Sequence, residues 1–123
     1  MANRAARTFP NLEYVVNADV PSPENISGVV VGEVALRHLE GRGHIDPVFT
    51  LRTYERLRNR GSDVKLAVAQ SSSQTAYFVP YASCLSVALP ADGIHTRRAR
   101  IPLAAIDRCR ALLVEIARLL LTG

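Results

Sequence analysis

Apolar and polar residues alternate strictly from Asn11 to Val20, and this period of two predicts a half-buried strand. The apolar side of that strand carries Leu12, Tyr14, Val16, Ala18 and Val20. Ser22-Pro23-Glu24 then has the order of an N-cap, a first-turn proline and a first-turn acid, so we predict a helix from Ser22 to Glu40. The glycines and β-branched residues of segment 28–36 fit a helix poorly, and a strand there is the alternative.

A second helix is predicted from Asp46 to Arg60. Asp46-Pro47 provides the favoured N-cap and first helical residue, and Gly61 provides the stop. After this helix the period returns to two, which indicates strands rather than further helix. We expect strands over 63–70, 77–89 and 94–100, joined by polar turns at 71–75 and 90–93.

The last segment, Ile101 to Leu121, reads as one helix with an unusually wide apolar surface. At about 100° per residue, apolar positions cover roughly 200° of its circumference, about twice what an ordinary surface helix needs. Either its own domain encloses the helix, or one flank meets a second chain. Three adjacent leucines in the last turn favour the second chain. The candidate core or interface contacts, which sequence alone cannot divide, are Ile106, Cys109, Leu112, Leu113, Ile116, Leu119 and Leu120.

The elements follow the order β-α-α-β-β-β-α, which predicts the α+β class. We expect a small single domain over residues 11–123, with a mostly antiparallel sheet of about four strands and about three helices. Residues 1–10 are predicted to form an N-terminal tail. A chain of 123 residues is long enough for one core and requires no second domain.

The charge distribution adds a second functional hypothesis. The net charge is +4, and fourteen arginines stand against one lysine. A coding bias accounts for that imbalance and suggests a bacterial or bacteriophage source, but arginine also suits phosphate. A basic nucleic-acid-binding surface is therefore the alternative to assembly. Its candidate residues are Arg52, Arg56 and Arg60 on the 46–60 helix, and Arg97, Arg98 and Arg100.

Motifs for catalysis or cofactor binding are weak in this chain. Cys84 and Cys109 lack metal-ligand spacing and read as small hydrophobic residues. Four residues on either side of a glycine-rich turn come nearest to a metal cluster. The simpler interpretation is that they are solvent-exposed residues at the ends of helices. These four are His38, Glu40, His44 and Asp46. We therefore predict no metal and no cofactor, and favour a non-enzymatic interaction or assembly module.

Targeting signals are also weak. The N-terminus lacks the apolar run of a secretory signal, and nowhere do eighteen uncharged apolar residues follow one another. We expect the cytoplasm, or a particle assembled there, as the location. The expected partner is a second copy or a larger protein assembly, with nucleic acid as the alternative and no membrane partner.

Overall fold

Five strands and two α-helices follow one another in the computed structural model, which describes residues 12–39, 46–69, 82–93 and 96–122. The strands are β1 Tyr14–Asp19, β2 Ile26–Ser27, β3 Ala35–Leu39, β4 Lys65–Ala69 and β5 Ser83–Ala88. The helices are α1 Pro47–Asn59 and α2 Leu103–Thr122, and a short 3-10 turn covers Pro23–Asn25. The chain is a small α+β domain.

The sheet is mixed, with the strand order β1-β5-β3-β4-β2. β1 is parallel to β5 and β3 is parallel to β4, whereas β3–β5 and β2–β4 are antiparallel. The expectation of a mostly antiparallel sheet of four strands was therefore wrong. β3 and β4 are parallel neighbours, and α1 forms the crossover connection that such a pair needs. β4 and β5 follow one another among the described strands, yet β3 lies between them in the sheet.

The helix predicted from Ser22 to Glu40 does not form over the described part of that segment. Only the 3-10 turn follows Ser22, and the chain then enters β2, a loop and β3. Gly28 and Gly32 have φ of +93° and +97°, a conformation that a right-handed helix excludes. A Cβ at Gly28 would also collide with the carbonyl oxygen of Leu66, so the loop lies directly against β4. The strand alternative is correct for the end of segment 28–36.

The other elements agree more closely with the pattern. α1 begins after Asp46, whose side chain accepts a hydrogen bond from the backbone N–H of Phe49 at 3.3 Å. β1, β4 and β5 lie inside their predicted segments, and α2 ends one residue past its predicted end, at Thr122. The predicted apolar side of β1 was wrong, because Tyr14, Val16 and Val20 lie on its more exposed side. A strand was expected over 94–100, and the described residues there form only an isolated antiparallel bridge between Arg100 and Asp92. The predicted tail 1–10 and the connection 71–75 lie outside the described residues.

The two faces of the sheet differ in composition. Both helices pack on one face, where the core joins Leu36, Leu85 and Val87 to Leu57 of α1 and to α2. The opposite face is rich in alanine, and its small cluster is closed by the loop before β3. That cluster contains Ile26, Val29, Ala35, Ala67, Ala69 and Ala88. The larger part of the hydrophobic core therefore lies between the sheet and the helices.

Candidate interaction surface

One side of α2 closes the core. Four of the seven residues proposed from the sequence as core or interface contacts are buried inside the subunit. Their spacing of three and four residues keeps them on one face of the helix. They pack with Leu85 and Val87 of β5. The four are Cys109, Leu112, Ile116 and Leu119.

The opposite side of α2 carries apolar residues that remain exposed. Leu103 is 80% exposed and Leu121 is 83% exposed, while Ile106 and Val114 between them are 45% and 47% exposed. Advancing about 100° per residue, these four positions fall within roughly 80° of one another on the helix. We call Leu103, Ile106, Val114 and Leu121 the exposed stripe. It runs along the full length of the helix.

The remaining two of the seven candidates, Leu113 and Leu120, are half-buried and pack against the edge of the core. They lie between the buried side and the exposed stripe, so the apolar surface is continuous around the helix. Of the original seven, Ile106 alone belongs to the exposed stripe. The set of seven did not include Leu103, Val114 and Leu121. The sequence signal that could have identified them is their position on the far flank of the apolar surface.

Charged side chains lie beside the exposed stripe, and one of them, Arg110, lies within it. Arg110 donates a hydrogen bond to Asp107 at 2.9 Å, one helical turn away, and both side chains are well exposed. An open hollow of about 690 Å³ lies beside them, with Val114, Arg118 and Arg60 of α1 among its lining residues. The stripe is thus largely apolar, with Arg110 inside it and further charged residues along one border.

The arginines of the nucleic-acid hypothesis are also exposed. Arg52, Arg56 and Arg60 project from α1 at intervals of four residues, or end it. Within the described ranges, no ion pair joins Glu55 to any of them. The second set lies in the segment between Asp92 and α2 and contains Arg97, Arg98 and Arg100. These two sets remain separate surface features of the chain.

Both cysteines are buried, and neither thiol is activated as a nucleophile. Burial, reinforced by the negative charge of Asp46, raises the pKa of Cys84 to about 11. Burial also raises the pKa of Cys109. Because the thiolate is the nucleophile, neither side chain is activated at neutral pH.

Metal-ligating residues do not gather in the part of the chain that the structure describes. No group of three or more His, Cys, Asp or Glu residues there is placed to hold a metal ion. Of the four residues weighed as a cluster from the sequence, Glu40 and His44 lie outside the described ranges.

A buried arginine on the helix-free face of the sheet was missed from the sequence. Arg37 of β3 is fully buried, and its Nη2 donates to Asp19 of β1 at 2.5 Å. The two residues are not on adjacent strands, since β5 lies between β3 and β1. This ion pair therefore ties the edge strand β1 to the centre of the sheet. No local sequence signal brings the two residues together, because their contact depends on the strand order.

Comparison with known proteins identifies the fold and no family. No protein-family model matches the chain, and no curated protein matches it. A solved structure described as PhTET1-12s, a dodecamer, superposes with a TM-score of 0.76 at 13% identity over 94% of this chain. The Pyrococcus horikoshii TET1 peptidase, described as assembling into a tetrahedron or a large octahedral shell, gives 0.73 at 10% identity over 91%. The chain spans only 36% and 34% of those two chains.

Membrane insertion through a helix finds no support in the described residues. Neither α1 nor α2 combines the length and apolar character needed to cross a bilayer.

Proposed function

We propose that this chain is a non-enzymatic assembly module that self-associates through the exposed stripe of α2. The observation that carries the proposal is the exposure of Leu103 and Leu121, both at 80% or more, at the two ends of a row that continues through Ile106 and Val114. Four large apolar side chains in one row on one helix differ from the scattered apolar residues of an ordinary surface.

The energetics of the stripe favour a partner over water. Burying a leucine, isoleucine or valine stabilises by roughly 1.5–3 kcal/mol per side chain. Because closed homo-oligomers are the commonest soluble assemblies, a second copy is the partner that we adopt. A symmetric pair buries the stripe twice, once from each copy. Assembly is also what the descriptions of the two structural neighbours state of those proteins.

The cellular setting is proposed from the sequence alone. The excess of arginine over lysine fits a bacterial or bacteriophage complex, and we propose the cytoplasm or a particle assembled there as its location.

The test compares two aspartate substitutions at adjacent residues of α2. Leu121→Asp places a charge in the exposed stripe, whereas Thr122→Asp places the same charge at the same helix end, about 100° away from it. Light scattering coupled to size-exclusion chromatography measures the mass of each variant and of the unmodified chain. We expect Leu121→Asp to be monomeric and Thr122→Asp to keep the oligomer mass, with unchanged far-UV circular dichroism in both. Equal masses for all three proteins would refute the proposal.

Nucleic-acid binding is the second candidate function. Arg52, Arg56 and Arg60 are exposed, and no ion pair with Glu55 offsets their charge among the described residues. Phosphate contacts through such a ridge weaken steeply with added salt. Replacing the three arginines by glutamine should abolish salt-sensitive retention on heparin if this function holds. Retention that is absent in the unmodified chain would exclude it.

A further inference from the structure

The two ends of the exposed stripe lie symmetrically about the middle of α2. Leu103 lies nine residues before position 112, and Leu121 lies nine residues after it. Arg110 and Val114 lie two residues to either side of the same position. An antiparallel pair of α2 helices centred there would place each Leu103 against Leu121 of the second copy. At 1.5 Å per residue, this contact is about 27 Å long.

The charges beside the stripe have the same symmetry with opposite sign. Asp107 lies five residues before position 112 and Arg118 lies six residues after it. Both lie on the same border of the stripe, roughly 40–60° from Leu103 and Leu121 around the helix. A two-fold axis perpendicular to two antiparallel helices keeps identical borders adjacent. Asp107 of one copy then meets Arg118 of the other within about 1.5 Å of the same level.

We infer that two copies of this chain pair through α2 in an antiparallel, two-fold symmetric arrangement in which Asp107 of each copy faces Arg118 of the other. The inference rests on the proposed self-association and specifies its geometry. In a parallel pair the two-fold axis runs along the helices and brings opposite borders together, so Asp107 and Arg118 do not meet. The antiparallel pair brings these two opposite charges together, twice per dimer.

Two residues next to the stripe residues also fit this arrangement. On the opposite border, Leu113 lies one residue from the centre, so it meets Leu113 of the second copy and extends the apolar contact. Arg110 lies within the stripe but already donates to Asp107 of its own helix. The two Arg110 residues of the dimer are offset by about 6 Å along the axis. Their aliphatic stems can cover Val114 of the other copy while the charged ends reach water.

Charge reversal at the two facing positions tests the arrangement. Asp107→Arg alone and Arg118→Asp alone each place like charges opposite one another at two symmetric contacts. We expect each variant to self-associate about tenfold more weakly than the unmodified chain at low salt. The equimolar mixture of the two variants, and the double variant Asp107→Arg/Arg118→Asp, should recover association. Glu55→Arg, a charge reversal at an exposed residue of α1, is the matched control and should have no effect.

Sedimentation equilibrium distinguishes the possible outcomes. If the unmodified chain dimerises and both single variants dimerise equally well, the antiparallel arrangement is overturned. If the unmodified chain is a monomer, the proposed function itself fails. Circular dichroism of the double variant shows whether the reversed charges leave the fold intact, which separates loss of pairing from loss of folding.

Discussion

Two leucines that lie two residues apart on α2 should stabilise different states, one the folded subunit and the other the dimer. Leu119 is fully buried in the core between the sheet and the helices, whereas Leu121 is 83% exposed. Replacing each by alanine removes the same atoms from two different environments. Leu119→Ala removes core contacts and leaves a cavity, so it should lower the free energy of unfolding by about 2–5 kcal/mol. Leu121→Ala removes a side chain that is mostly hydrated, and we expect less than about 0.5 kcal/mol in the monomer.

The effect on association should be reversed. In the proposed pair, both copies of Leu121 become buried, and their loss should weaken dimerisation by roughly 2–3 kcal/mol. That change is on the order of 50-fold in the dissociation constant. Leu119→Ala should leave the dissociation constant of the folded protein close to its original value, because the side chain is covered within the subunit.

Urea unfolding followed by circular dichroism measures the first effect at a protein concentration low enough to keep the chain monomeric. Sedimentation measures the second. A loss of 2 kcal/mol or more for Leu121→Ala in the monomer would refute the division of α2 into a core side and an exposed side. A loss below about 1 kcal/mol for Leu119→Ala would refute it as well.

Three further predictions concern the sheet. Gly28→Ala and Gly32→Ala both force alanine into a positive φ, which costs roughly 1–2 kcal/mol each, but only Gly28→Ala adds a collision with β4. In urea titrations, Gly28→Ala should therefore lose about 1–3 kcal/mol more stability than Gly32→Ala. Equal losses for the two variants would contradict the close approach of the loop to β4. Asp19→Ala takes the carboxylate from buried Arg37 and should cost about 1–3 kcal/mol in the same assay, whereas a loss below about 0.5 kcal/mol would argue against a structural ion pair. Burial raises the pKa of Cys84 from 9.0 to about 11, so its contribution to stability should fall by up to roughly 2–3 kcal/mol as pH rises between those values. Cys84→Ala should make the fall in stability shallower, and the remaining slope should include that of Cys109, whose pKa is also raised. An unchanged slope in Cys84→Ala would place its cause elsewhere.

Local signals predicted the elements that local chemistry determines. Asp46-Pro47 identified the start of α1 because the N-cap and the fixed proline φ act within one turn. The apolar period of α2 predicted its length and its excess of apolar surface. The pattern did not show which side of α2 meets the sheet, because Leu112 and Leu119 resemble Leu113 and Leu120 in sequence.

The order of the strands in the sheet could not be predicted from the sequence. Residues 28–36 lacked a clean period, and the N-cap signal at Ser22 outweighed the glycines. Once β3 was mistaken for helix, β4 and β5 seemed to be neighbours in a hairpin, and the sheet seemed mostly antiparallel. The Arg37–Asp19 ion pair was invisible for the same reason, since it requires the strand order β1-β5-β3.

The mass of the unmodified chain in solution tests self-association most directly. Sedimentation equilibrium over a range of micromolar concentrations should show a mass that rises from 13.4 kDa towards twice that value. A mass that stays at 13.4 kDa up to the highest concentration, with the protein folded, would contradict the proposal that the exposed stripe of α2 binds a second copy.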